Sequence, residues 1–193
     1  GSLRHLADEQ GRSRVQLAGA LAREELRRFG EDALIHARSV ADRQTLQRLL
    51  ADGRAAAIGP YLRRSCNTDS ITACAVFERG ALVALAGVQL PWKEIAETAA
   101  EQGERFLAAP SEASSPVIGA SAQIGGARER RVYVARLFDE KLAATLSERV
   151  GVEVRLVDYR RFVGGVGGDA LARLHSAGLS DATSAVARIG SEN

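Results

Sequence analysis

The chain has 193 residues, 46% of them hydrophobic, which suits one domain, or one domain with an appendage, around a buried core. Its net charge of +2 and the lack of a basic cluster interleaved with aromatic residues argue against a nucleic-acid-binding surface. No apolar run approaches a membrane span, and the absence of methionine together with the leading Gly1-Ser2 leads us to expect a cloning remnant on a piece of a longer protein.

The first predicted element is one long amphipathic helix over residues 14–50. Apolar positions alternately three and four residues apart form a stripe along it. The stripe comprises Val15, Gly19, Ala22, Leu26, Phe29, Ala33, His36 and Val40. Because a compact domain of this size does not need so long a helix, we expect its N-terminal half to meet a second copy of the chain or the membrane. The alternative is a helix lying across its own sheet, broken at Gly19 or Gly30.

Two short helical pieces and a hairpin are predicted next. The helical pieces cover residues 55–58 and 60–65, the second beginning at Pro60, and a polar turn follows over residues 67–70. Alternating patterns predict antiparallel strands over residues 71–78 and 81–88, joined by a tight turn at Arg79-Gly80. Small residues fill this hairpin, so we expect an element to pack closely on it, the long helix being the natural candidate.

The second half of the chain alternates helices and strands. Pro91 opens a helix that ends at Gly103, Arg105–Ala108 is a short apolar piece, and a loop follows. A second hairpin is predicted from Val117–Ile124 and residues 131–138, and a helix from Glu140–Val150 that stops at Gly151. Beyond these we expect strands over residues 152–158 and 183–189, with a glycine-rich loop over 164–168 and a short helix between them.

The sequence contains no recognisable catalytic or metal-binding pattern. Its three histidines fall in different predicted elements, and no pair of carboxylates is spaced for acid–base chemistry. The loop over residues 164–168 lacks the lysine that ends a phosphate-binding loop, and Asp169 puts negative charge at its mouth. We therefore expect no enzymatic activity, no metal and no cofactor.

Two cysteines, Cys66 and Cys74, lie at the end of a predicted helix and in the next strand. They are candidates for a disulfide if the compartment is oxidising, and otherwise for two small buried thiols. Both alternatives remain open at the level of the sequence.

Four residues are candidates for contact with a small ligand between the sheet and its crossover helix. They are Trp92, Tyr133, Arg136 and Asp158, the large or charged groups expected near that place. Tyr133 and Arg136 are separated by an odd number of residues, so they point to opposite faces of a regular strand. For each of the four, simple packing or surface exposure is the competing interpretation.

The chain resembles the broad Cache or PAS-like family of extracytoplasmic sensor domains found in bacterial histidine kinases, chemoreceptors and cyclases. The resemblance lies in the long N-terminal helix and in the segments ITACAVFERGALVALAG, PWKEIAETAAEQG, RVYVARLF and LFDEKLAATLSERVGVEVRLVD. It covers about residues 14–158. It implies an α+β fold in which a long N-terminal helix packs on a mostly antiparallel PAS/Cache-like sheet with crossover helices.

The resemblance also implies an organisation and a function. Residues 1–13 would be the cloning remnant and a flexible start, 14–65 the long helix with short helices, 66–158 the sensor lobe, and 159–193 a C-terminal extension or the start of a second lobe. The domain would lie in the periplasm as part of an inner membrane protein, with membrane spans in flanking segments. It would form a homodimer through its N-terminal helix, and it would bind a small ligand or relay a periplasmic signal through that helix.

Two other functions compete with this one. A cytoplasmic PAS- or GAF-like regulatory domain would carry Cys66 and Cys74 as reduced thiols. A hydrolase or transferase fragment would use the glycine-rich loop.

Overall fold

The computed structural model of the chain describes residues 2–110 and 115–151. Internal contacts divide the chain into two compact units, with boundaries after Leu26 and after Asp139. The predicted strands over residues 152–158 and 183–189, the glycine-rich loop and the helix after it lie outside the described residues. The domain boundaries expected from the sequence at residues 13, 65 and 158 stay predictions.

Five helices and five strands make up the described chain. In order they are α1 (Ser2–Ala41), α2 (Gln44–Ala51), α3 (Ala55–Ser65), β1 (Ala73–Glu78), β2 (Ala81–Gly87), α4 (Trp92–Gln102), β3 (Arg105–Ala108), β4 (Val117–Ile124), β5 (Ala127–Leu137) and α5 (Glu140–Val150). The predicted hairpins, the crossover helix and the helix Glu140–Val150 are thereby confirmed.

The long helix α1 runs through Gly19 and Gly30 without a break. It ends at Ala41 rather than near residue 50, because Arg43 adopts extended backbone (φ −69°, ψ 121°) immediately before α2. The bend brings Leu46 of α2 into the same apolar cluster as the end of α1. The buried residues in the part of α1 whose side chains are described lie along one side of the helix, about one turn apart: Ala22, Leu26, Gly30, Ala33, Leu34, Ala37, Val40 and Ala41.

The third helix contains Pro60 in its interior, which corrects the prediction of two separate helical pieces. Proline removes one helical hydrogen bond, but Ile58 and Leu62 on either side of it are fully buried, and their packing outweighs that loss. A Cβ added at Gly59 would lie 3.3 Å from the carbonyl oxygen of Leu85 in β2. The helix α3 therefore packs directly on the hairpin. The sequence led us to expect the long helix to do so.

The five strands form one antiparallel sheet in the order β2-β1-β5-β4-β3. Its outer strand β3 was predicted only as a short apolar piece, since four residues are too few for a clear alternation. Both hairpin turns use positive φ angles, at Arg79 and Gly80 (51° and 77°) and at Gly125 and Gly126 (60° and 72°). Two-residue turns of this kind match the right-handed twist of the strands that they join.

Helices cover both faces of the sheet. On one face, which we call the α1 face, residues of α1, α2 and α3 share an apolar cluster with Val76, Val132 and Val134. On the other, the α4 face, Ile95 and Ala99 of the crossover helix pack with alternate residues of the same strands. Two exposed ion pairs, Arg38–Glu104 and Arg105–Glu31, add contacts between α1 and the segment at β3.

The remaining unit contains the start of α1 and the helix α5. Leu142 and Leu146 of α5 are buried, and Arg149 donates a 2.7 Å hydrogen bond to the carboxylate of Glu25. Gly151 follows with a φ of 77°, as the prediction of a glycine stop requires. Within the described ranges, no helix has both the length and the apolar character of a membrane span.

Candidate functional site

The space between the sheet and the crossover helix, where a ligand was expected, is occupied by side chains. Trp92 begins α4 and is 2% exposed, in one cluster with Phe106 and Tyr133. Its indole Nε1 is buried and has no hydrogen-bond partner in the described part of the chain. A buried indole N–H normally has a partner. The role of Trp92 in ligand contact stays a prediction.

Tyr133 lies at the centre of the α4 face. Its ring centroid is 5.2 Å from that of Phe77, in an edge-on arrangement, and 6.4 Å from that of Phe106. Burial raises the pKa of the Tyr133 hydroxyl, and the nearby Arg131 guanidinium partly opposes that shift. Arg131 also donates a 2.9 Å hydrogen bond to the buried hydroxyl of Ser121 on β4. These groups form the polar edge of an otherwise apolar cluster.

Arg136 faces the opposite side of the sheet, as its odd separation from Tyr133 predicts. The guanidinium carbon of Arg136 lies 5.1 Å from the centre of the Phe29 ring on α1. This is a cation–π contact, and it couples β5 to the long helix. The structure thus brings Trp92 and Tyr133 together and separates Arg136 from both. The fourth candidate, Asp158, lies outside the described residues.

Cys66 and Cys74 form a disulfide, with a Cα–Cα distance of 5.8 Å. Both residues are buried, at 2% and 0% exposure. Cys66 is the C-cap of α3 and Cys74 lies in β1, so the bridge joins the helix to the sheet. Beside it, His36 of α1 donates a 2.7 Å hydrogen bond from Nε2 to the Ser65 carbonyl, and Arg43 donates to the Ser65 hydroxyl. The end of α3 is therefore held by a covalent bond and two hydrogen bonds.

An open depression of about 600 Å³ lies next to the disulfide and was not foreseen from the sequence. Its lining residues come from the end of α3 and from segments flanking β1 and β2: Arg63, Cys66, Asn67, Thr72, Gly87 and Val88. The cysteine pair pointed to this part of the chain, but the sequence did not indicate that residues near positions 65 and 87 meet there.

The described ranges offer no metal site. No cluster of three or more His, Cys, Asp or Glu residues has the geometry to hold a metal ion there. Burial raises the pKa of Tyr133, which lies in a largely apolar cluster. The geometry is that of a packed domain with a surface depression.

Comparison with known proteins identifies a relative in fold but none in sequence. No protein-family model matches the chain, and no curated protein matches it either. The structure is similar to the crystal structure of the periplasmic domain of LuxQ from Vibrio cholerae, with a TM-score of 0.56 and 12% sequence identity. The likeness covers 69% of this chain and 70% of the LuxQ chain. At that identity the likeness concerns the fold, and it bears out the expected α+β class with a long N-terminal helix on an antiparallel sheet.

Proposed function

We propose that the chain is the extracytoplasmic sensing module of a transmembrane signalling receptor. The observation that carries this proposal is the shared fold with the periplasmic domain of LuxQ over about two thirds of both chains, 69% and 70%. The disulfide Cys66–Cys74 supports it, because such bridges persist in oxidising compartments and are rare in the cytosol. The domain would lie in the periplasm, attached to the inner membrane through flanking segments.

The module would act through its long helix, as a homodimer. α1 contributes residues to the apolar cluster of the sheet at its C-terminal half, whereas Leu17 and Leu21 in its N-terminal half are 62% and 44% exposed. We assign these two leucines to contact with a second copy of the chain. A ligand changes the signal only if it binds one arrangement of the paired helices more tightly than the other.

The module itself would have no catalytic role. The sequence contains no recognisable catalytic motif, and Tyr133, whose pKa burial raises, lies in a largely apolar cluster. Any enzymatic output would belong to another part of the receptor. The subtype, Cache or another PAS-like domain, is proposed from the resemblance of the sequence segments.

The thiol state of the protein in its own cells tests this proposal. Intact cells producing the full-length protein are quenched in acid to preserve the thiol state, the precipitate is dissolved in denaturant near neutral pH with excess maleimide, and the modified thiols of this chain are counted by mass spectrometry. We expect no maleimide on Cys66 or Cys74, since an exported domain keeps its disulfide. A Cys66→Ser variant, which leaves one cysteine without its partner, is the control and should take up one maleimide.

The competing cytoplasmic regulatory domain gives the opposite result. Its thiols would be reduced, so both cysteines of the unmodified protein would carry maleimide. That outcome would overturn the periplasmic location, and with it the central part of the proposed function.

A further inference from the structure

The depression beside the disulfide is lined by residues that are bonded to the sheet and by one charged and one amide side chain. Cys66, one of the lining residues, is bonded to Cys74 in β1 and cannot move away from the sheet. The Thr72 hydroxyl is also fixed, because it donates to the Ala135 carbonyl and accepts from the backbone N–H of Leu137. A site whose walls are held in this way loses little conformational freedom when a ligand binds.

Arg63 supplies positive charge to the lining of the depression. It lies in the last turn of α3, is exposed, and has neither a hydrogen bond nor an ion pair with any residue in the described ranges. A guanidinium group presents paired N–H donors that match the two oxygens of a carboxylate. Asn67, just beyond the helix, adds a side-chain amide that donates and accepts.

Val88 and Gly87 add apolar surface to the lining of the depression. Val88, at the end of the β2 segment, is 44% exposed and lines the depression together with Gly87. Gly87 cannot be replaced by a larger residue without strain, since its φ is +85° and an added Cβ would lie 2.9 Å from the Cα of Ala73. The lining of the site therefore includes both a guanidinium and a short apolar surface.

We propose that this depression binds a small organic carboxylate with a short alkyl chain. The carboxylate pairs with the Arg63 guanidinium and the Asn67 amide, and the alkyl chain lies against Val88. That the carboxylate is the ligand sensed by the receptor rests on the proposed function. Binding of the carboxylate to the depression does not depend on it. Failure to bind would leave the thiol experiment unaffected, and reduced thiols in cells would leave the binding unaffected.

Backbone amide NMR of the full chain, titrated with sodium butyrate, tests the proposal. We expect saturable shift changes with a dissociation constant in the millimolar range, about what a ligand of this size reaches. They should be confined to the lining residues and their neighbours: Cys66, Asn67, Thr72, Gly87 and Val88. Arg63→Ala should weaken binding about tenfold or more, because it removes hydrogen bonds to a charged group.

Arg64→Ala is the matched control, since Arg64 is the next residue of α3, is exposed and does not line the depression. It removes the same charge and should change the affinity less than about twofold. Absence of saturable shifts overturns the proposal, as does equal weakening by the two substitutions. Sodium sulfate and 1-butanol are tested in parallel: a response to either that equals the response to butyrate would overturn the carboxylate class.

Discussion

At the scale of single residues, Gly119 shows how tightly β4 is packed. An added Cβ there would lie 2.6 Å from the Phe106 ring, closer than real Cβ atoms approach, and would also meet the Val134 backbone carbonyl. We expect Gly119→Ala to lower the free energy of unfolding by about 1–3 kcal/mol, as overpacking does. Chemical denaturation followed by circular dichroism measures this.

Gly19→Ala makes the same chemical change at an open position of α1. Nothing lies within 4 Å of the added Cβ, and alanine favours a helix interior over glycine by about 1 kcal/mol at most. This variant should leave stability unchanged or raise it slightly. If Gly119→Ala proved equally harmless, the close packing of Phe106 on β4 would be contradicted.

Tyr133 predicts a loss of stability at alkaline pH. Its pKa in the folded chain is raised above the ordinary value of 10.0 by burial. The unfolded chain therefore releases the proton first, so the contribution of Tyr133 is complete below about pH 10 and declines as the pH rises through the folded pKa. The decline is at most about 1.4 kcal/mol per pH unit.

Tyr133→Phe removes this titration while keeping the ring. The difference in unfolding free energy between the unmodified chain and the variant should be constant from about pH 7 to about pH 9 and should shift in favour of the variant above about pH 10. Denaturant titrations across that range measure it. Parallel pH profiles for the two proteins would refute the link between burial and alkaline stability.

At the scale of elements, the N-terminal part of α1 carries the proposed contact with a second copy. Leu17→Glu combined with Leu21→Glu would place charge at two exposed leucines of that contact, and burying unpaired charge is costly. We expect the dimer dissociation constant, measured by sedimentation, to rise about tenfold or more.

Ile35→Glu provides the control on the same helix. Ile35 is 66% exposed but lies in the C-terminal half of α1, away from the proposed contact. It should leave the dissociation constant within about twofold. If Ile35→Glu weakened the dimer equally, the contact would not be confined to the N-terminal part of α1. If the unmodified chain were monomeric, the proposed contact would be contradicted altogether.

Helices and strands were predicted correctly where alternation or turn residues give a strong local signal. The predictions failed where tertiary packing determines the ends of an element. Alternation and turn residues located both hairpins, and Gly103 and Gly151 marked helix ends. The end of α1 at Ala41 has no glycine or proline to mark it, since the bend follows from the burial of Leu46. The continuation of α3 through Pro60 likewise depends on its buried neighbours.

The candidate site was predictable only in part, for the same reason. The period of a strand is enough to place Tyr133 and Arg136 on opposite faces. The depression, by contrast, joins Arg63, Thr72 and Val88, which meet only after β1 and β2 pair and α3 docks on them. No local pattern in the sequence predicts a tertiary contact of this kind.

At the scale of the whole molecule, the unit Arg27–Asp139 contains both apolar clusters in full. We therefore expect a fragment of residues 27–139 to fold without the rest of the chain, with its disulfide formed and a cooperative thermal transition seen by circular dichroism. A fragment of residues 27–104 lacks β3, β4 and β5 and should remain unfolded. A broad, non-cooperative transition in the longer fragment would show that its core is incomplete.

The disulfide also has a consequence for the order of folding. Cys66 and Cys74 are eight residues apart, so the loop that they close is short and forms at little cost in chain entropy. β1 must then pair with β5, where Cys74 lies opposite Val134, much farther along the chain. Contacts so distant in sequence form slowly. In an oxidising compartment the bridge is therefore available before the sheet, and the joined α3–β1 segment offers the later strands a preformed edge on which to assemble.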